Sequence, residues 1–322
     1  MERQTANSRR ITRIARNGKA IGAGLLALTA ALVLAWAAPL TAQDAEGDKP
    51  AEEMPDVGEI IRKSNRVAYY QGGNGKARAT MSIFDEKGNK RTRELTILRR
   101  DWPEGEAETE EAEADTFTGD QRFFVYFHRP PDVDKMTFLV WKHPDPKTND
   151  DRWLYVPDLD LVRRIASSDK RTSFVGSHFY YEDVSGRSPE LDDHELLDEE
   201  STGPYYVLKS TPKDIDENKT VEFAHYKTWV HKKTFMPIQT SYYDADGTEY
   251  RRYKVLEADV VTEDASGEEV SYPTAVKSRM MDLETGGYTD LEYSNVEYDL
   301  EDLDEDVFEQ KALRNPPREH LE

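Results

Sequence analysis

The sequence predicts a mainly β protein, an antiparallel meander that curls into a barrel or half-barrel, with helical signals only near its two ends. Three observations carry this. Short runs of alternating apolar and polar residues recur from about residue 77 to residue 298. Turn sequences join many of them, such as Asp85-Glu86-Lys87-Gly88-Asn89, Asp244-Ala245-Asp246-Gly247 and Thr285-Gly286-Gly287. Two successive runs, 123–127 and 136–141, are apolar on both faces, as strands in mid-sheet with something packed on each side must be.

Taken in order, the chain begins with an expected export signal. Arg3, Arg9, Arg10, Arg13, Arg16 and Lys19 form a basic region ahead of the charge-free apolar run 20–38. Ala42 suits a signal peptidase, so cleavage is expected after it. An uncleaved inner-membrane anchor is the alternative, because the run approaches the roughly 20 residues that span a bilayer. Residues 43–55 are acidic, contain Pro50 and Pro55, and read as a tether. Residues 56–322 read as one domain.

Within that domain, Val57, Ile60, Ile61 and Val67 have helical spacing, with Asp56 as a candidate N-cap and Gly72-Gly73 as the stop. Ala77, Ala79, Met81 and Ile83 then alternate with polar residues and pair, across the turn at 85–89, with the run 93–98. Residues 103–118 are dominated by Glu, Ala and Asp, and are read as a solvated insertion. After the two apolar strands, the runs 205–210, 221–231, 237–243, 250–260, 274–282 and 288–298 complete the meander. A short helix at about 304–313 starts in acids and ends in Lys311 and Arg314, as the helix dipole favours.

Residues 153–186 break the pattern. Phe174, Val175, Phe179, Tyr180 and Tyr181 crowd around Gly176 with neither clean alternation nor a helical stripe. Such a segment is a loop folded over the core or a flap that lifts from it. Aromatic residues in a charge-flanked loop favour a functional reading.

This segment also carries a resemblance. Leu154-Tyr155-Val156-Pro157, the pair Arg163-Arg164 and the run from Ser173 through Gly176, Tyr181, Glu182 and Asp183 to Val184 resemble the signature of a bacterial outer-membrane lipoprotein-sorting family related to the periplasmic carrier LolA. Met280-Met281-Asp282, Gly287, Thr289, Val307-Phe308 and Leu313 match its closing pattern, and His178 departs from it where an acid is usual. The resemblance implies an incomplete antiparallel β-barrel around an apolar cavity, covered by helices and loops. It further implies a monomeric periplasmic carrier whose partners are lipoprotein acyl chains or other lipids, an inner-membrane transporter and an outer-membrane acceptor. An accessory module that docks on a membrane transporter is the alternative.

Composition narrows the chemistry. There is no cysteine, hence no lipobox, disulfide or thiolate site. Removing residues 1–42, which hold six Lys/Arg and one acid, would take the net charge from −21 to −26. That argues against nucleic acid and anionic lipid surfaces as partners. The seven histidines show no metal-ligand spacing, and no nucleophile elbow is present, so neither an enzyme nor a cofactor is expected. The candidate cavity residues are Met81, Ile83, Phe123, Val125, Phe127, Met136, Phe138 and Val140. Phe174, Gly176, Phe179, Tyr180, Tyr181, Glu182 and Asp183 are the candidate flap. Sequence alone favours ordinary core for the first group, and the resemblance brings the cavity reading level with it.

Overall fold

The computed structural model describes residues 55–102, 119–143, 145–213, 221–265 and 268–321. The expected export signal, all of the tether but Pro55, and the acidic insertion lie outside these residues. Among the described residues, no helix is long and apolar enough to cross a membrane.

Among the described residues, thirteen antiparallel strands form one open sheet, so the expected β architecture is present as a barrel that does not close. The strands are β1 (Asn74–Phe84), β2 (Lys90–Trp102), β3 (Asp120–Arg129), β4 (Thr137–Lys142), β5 (Asp151–Val156), β6 (Leu161–Arg164) and β7 (Asp192–Leu196). They continue with β8 (Tyr205–Pro212), β9 (His225–His231), β10 (Pro237–Tyr243), β11 (Glu249–Ala265), β12 (Glu268–Asp282) and β13 (Tyr288–Tyr298). The order across the sheet is β6-β5-β4-β3-β2-β1-β13-β12-β11-β10-β9-β8-β7. The chain thus meanders out to β6, crosses to the far edge at β7, and meanders back until β13 pairs with β1.

That order has a direct consequence for residues 165–191. They join the two edge strands, so the irregular, aromatic segment has to span the gap where the barrel fails to close.

The two-sided apolar strands behave as their pattern requires. Phe123, Val125 and Phe127 of β3, with Phe138 and Val140 of β4, face an inner cluster that includes Met81, Ile83 and Leu95. Phe124 and Leu139 face outward. The outer face is covered by the C-terminal segment, through Leu303, Val307, Phe308, Ala312 and Leu313. Trp141 Nε1 donates to the Phe308 carbonyl and Thr137 Oγ1 to that of Leu313, both at 2.8 Å. The helical signal at 304–313 is realised as two 3-10 turns, Glu305–Phe308 and Gln310–Leu313, separated by the extended backbone of Glu309. That break lays two adjacent apolar pairs on the sheet.

The helix α1 (Val57–Asn65) starts where its cap predicts, with Asp56 Oδ1 accepting from the Glu59 backbone N–H at 2.9 Å. Ile60 is fully buried against Tyr206, Leu208 and Val230, so the helix packs on β8 and β9. A π-helical turn, Arg66–Tyr70, continues it. Strand β7 was not legible in the sequence, because an edge strand of Asp192-Asp193-His194-Glu195-Leu196 shows too little apolar alternation.

Candidate functional site

Between the inner face of the sheet, α1 with its π-helical turn, and the crossing segment lies a cavity of about 430 Å³. This is within the range of roughly 300–1,000 Å³ typical of ligand pockets.

Of the expected cavity residues, Met81, Phe123 and Val125 line it. Ile83, Phe127, Met136, Phe138 and Val140 are buried in the same inner cluster, but behind the wall. All eight therefore share one face and one cluster, at different depths.

The crossing segment is built from a 3-10 turn at Phe174–Gly176, an isolated bridge between Ser173 and Tyr180, and the short helix α2 (Tyr181–Ser185). Gly176 has a φ of 75°, which a side chain would strain, and its carbonyl accepts from the Arg91 guanidinium at 3.3 Å. Phe174, Phe179 and Asp183 reach the cavity. Tyr181 instead packs its ring against Phe138 and Phe174, with centroids 5.3 and 5.5 Å away. Gly176, Tyr180 and Glu182 stand outside the cavity wall: Gly176 and Tyr180 meet Arg91 and Arg251 of the sheet, whereas Glu182 is held by Lys170, Arg171 and Arg187 of the segment itself.

The fastenings are ionic and buried. Arg171 Nε donates to Glu182 at 2.8 Å, and Lys170 and Arg187 lie 3.5 and 3.9 Å from the same carboxylate. Burial alone would raise the Glu182 pKa, but these three cations outweigh it and bring it to about 2. Asp183 accepts from the Tyr180 backbone N–H at 2.6 Å and pairs with Arg251 of β11. His178 ties the segment to β13. Its backbone N–H donates to Thr289 Oγ1 at 3.0 Å, and its Nδ1 lies 2.8 Å from that oxygen. Burial lowers the His178 pKa, so the ring is held toward its neutral form.

A further buried cation anchors the far end of α2. Lys142 donates to the Ser185 carbonyl at 2.8 Å, beneath the rings of Tyr69 and Tyr70. Desolvation pulls its pKa down to about 8.

Sequence reasoning missed the opposite wall. Tyr226, Tyr242, Tyr253 and Tyr293, from β9, β10, β11 and β13, line the cavity together with Tyr69. Each alternates in its strand as an ordinary inward residue, and Tyr69 comes from a helical turn, so no local signal groups them. Of the five charged residues that line the cavity, three are matched in ion pairs, Arg99 with Asp101, Arg187 with Asp192, and Asp183 with Arg251, and Lys76 and Glu297 are likewise not without partners. Among the described residues, no cluster of His, Asp or Glu is arranged to hold a metal ion.

A family model described as that of an uncharacterized protein matches residues 119–315. A DUF1329 family protein from Desulfovibrio piger is 26% identical, with a TM-score of 0.64 over 80% of this chain and 96% of its own. A putative outer membrane lipoprotein-sorting protein domain from Vibrio parahaemolyticus is 24% identical, with a TM-score of 0.63 over 80% and 97% of the two chains. A LolA superfamily protein from Nitrosomonas europaea shares the fold at 16% identity, TM-score 0.52, over 79% and 97%. No curated protein matches the chain. The chain belongs to the family of the matching model, which the Desulfovibrio relative carries under the name DUF1329, and it has the LolA-like fold of the outer-membrane lipoprotein-sorting proteins.

Proposed function

We propose that this protein is a non-enzymatic lipid carrier of the bacterial periplasm, which shelters the acyl part of a lipoprotein or another lipid and delivers it toward the outer membrane. The observation that carries this reading is the cavity itself, enclosed by an open barrel whose gap is spanned by a fastened but irregular segment. The lipoprotein-sorting resemblance supports it. An acyl chain in water must be shielded at about 0.8 kcal/mol per methylene, so burial of one long chain is worth on the order of 10 kcal/mol. A cavity with a lid supplies that burial without any catalytic residue. Release then requires a state in which the lid is displaced at a membrane partner, and the affinity difference between the two states sets the direction. In this reading residues 1–42 are a cleaved export signal and 56–322 one domain with an acidic insertion.

The test is native mass spectrometry of residues 43–322 purified gently from a bacterial periplasm, followed by solvent extraction. Co-purifying phospholipid or lipopeptide is the expected result. A protein that is empty, and stays empty when offered lipid vesicles and a diacylated lipopeptide, would overturn the carrier reading and leave a docking module in its place.

A further inference from the structure

The cavity has two chemically different walls. One, from β1 to β3 and the crossing segment, is mostly hydrocarbon and phenyl, with Met81, Leu95, Phe123 and Phe179 beside the charged Lys76, Arg99, Asp183 and Arg187. The other presents tyrosines. Three of these, Tyr69, Tyr242 and Tyr293, have no hydrogen-bond partner for their hydroxyls among the described residues. Their oxygens are not among the unpaired polar atoms sealed from solvent, so what they open onto is the cavity.

All three line the one cavity. Burial raises the pKa of each, and Tyr69 is raised further by Asp183 and then by Tyr242, Tyr253 and Tyr293. Tyr69 is also fixed in place. A Cβ at Gly186 would come within 2.5 Å of its ring, and Lys142 Nζ sits 5.3 Å from the ring centroid on another side. Glycine at 186 therefore keeps the space that the ring occupies.

A cavity meant only for a straight hydrocarbon gains nothing from such groups, because a buried hydroxyl without a partner costs free energy. Phenylalanine would serve better at all three positions. The ionic groups of the wall are, by contrast, engaged within the protein, Arg99, Arg187 and Asp183 in ion pairs and Lys76 and Glu297 with partners of their own, so the groups left open to a ligand here are uncharged donors. We propose that the cavity takes an uncharged, carbonyl-bearing part of its lipid, an ester or amide linkage, whose oxygen accepts from one or two of the hydroxyls of Tyr69, Tyr242 and Tyr293. The hydrocarbon wall holds the adjoining chain. This rests on the carrier reading and adds that the linkage region enters the cavity and does not remain at its mouth.

The test is displacement of N-phenyl-1-naphthylamine from residues 43–322 by decane, methyl decanoate and N-methyldecanamide, compared between the wild type and Tyr69→Phe/Tyr242→Phe/Tyr293→Phe. The three single variants are read alongside. Removing the hydroxyls leaves the rings in place, so the variant is expected to fold. The expected result is that the triple variant binds the ester and the amide about fivefold to tenfold more weakly, while decane moves by less than about twofold. A loss confined to the ester or to the amide supports the proposal and says which linkage the cavity reads. Equal changes for all three ligands, or none, would overturn the proposal and leave the carrier reading standing. If the naphthylamine does not bind the wild type and no ligand protects it against thermal unfolding, both fall together.

Discussion

Arg251 of β11 pairs with the Asp183 carboxylate at the start of α2, and its guanidinium lies 3.8 Å from the centroid of the Tyr180 ring. Two residues 68 positions apart thus clamp the segment that spans the barrel's gap onto the sheet. Burial alone would lower the Arg251 pKa, yet Asp183, with Tyr242 and Tyr180, outweighs it and raises it. The pair is as much a fastening as an ion pair.

Because Arg251 is only 5% exposed, Asp183→Ala leaves a buried cation without its partner. A loss of about 3–5 kcal/mol is expected, measured by urea unfolding. Asp183→Asn keeps an oxygen for the Tyr180 N–H and should lose less. If both variants unfold at the wild-type urea midpoint, the clamp has no energetic weight.

Glu182 makes stability depend on acid. Its folded pKa of about 2 lies below the ordinary glutamate value of 4.5, so its contribution is fully present above about pH 4.5 and is lost as the pH falls through about 2. The size is on the order of 3 kcal/mol. Urea midpoints taken from pH 6 to pH 2 should fall more steeply for the wild type than for Glu182→Gln, and parallel curves would remove Glu182 from the account.

Phe179 and Tyr181 are two residues apart and have different surroundings. Phe179 lines the cavity, whereas Tyr181 packs into the core behind it. Phe179→Ser should weaken lipid binding by a larger factor than it weakens folding. Tyr181→Ser should cost about 3–5 kcal/mol of stability, with a smaller effect on affinity in the fraction that remains folded. Paired titrations and melts separate the two, and identical profiles would refute the distinction.

Phe308 tests whether the two faces of the sheet are independent. It is 1% exposed and packed on the outer face, away from the cavity. Phe308→Ala should cost about 3–5 kcal/mol by cavity formation, while lipid affinity at a temperature well below unfolding stays within about twofold of wild type. A large affinity loss in the folded variant would show that the faces are coupled.

Much of the fold was legible because its signals are local. Period-two alternation marked Ala79, Met81 and Ile83 as one face of β1, and the structure buries all three. Asp56 announced the start of α1, and the run 123–127 announced a strand buried on both sides. The closure of β13 onto β1 was not legible, because a meander can end beside its start or away from it without any change of pattern.

The candidate site divides along the same line. The sequence by itself determined which residues point inward, since alternation specifies a face. It did not determine depth: Phe123 and Phe127 sit on one face of one strand, yet only the first borders the cavity. Only the tertiary structure brought Tyr69 from a helical turn together with Tyr242 and Tyr293 from strands that arrive late in the chain. The physical reason is range. Strand face and helix cap follow from neighbours a few residues apart, whereas a cavity exists only where distant surfaces meet without filling the space between them.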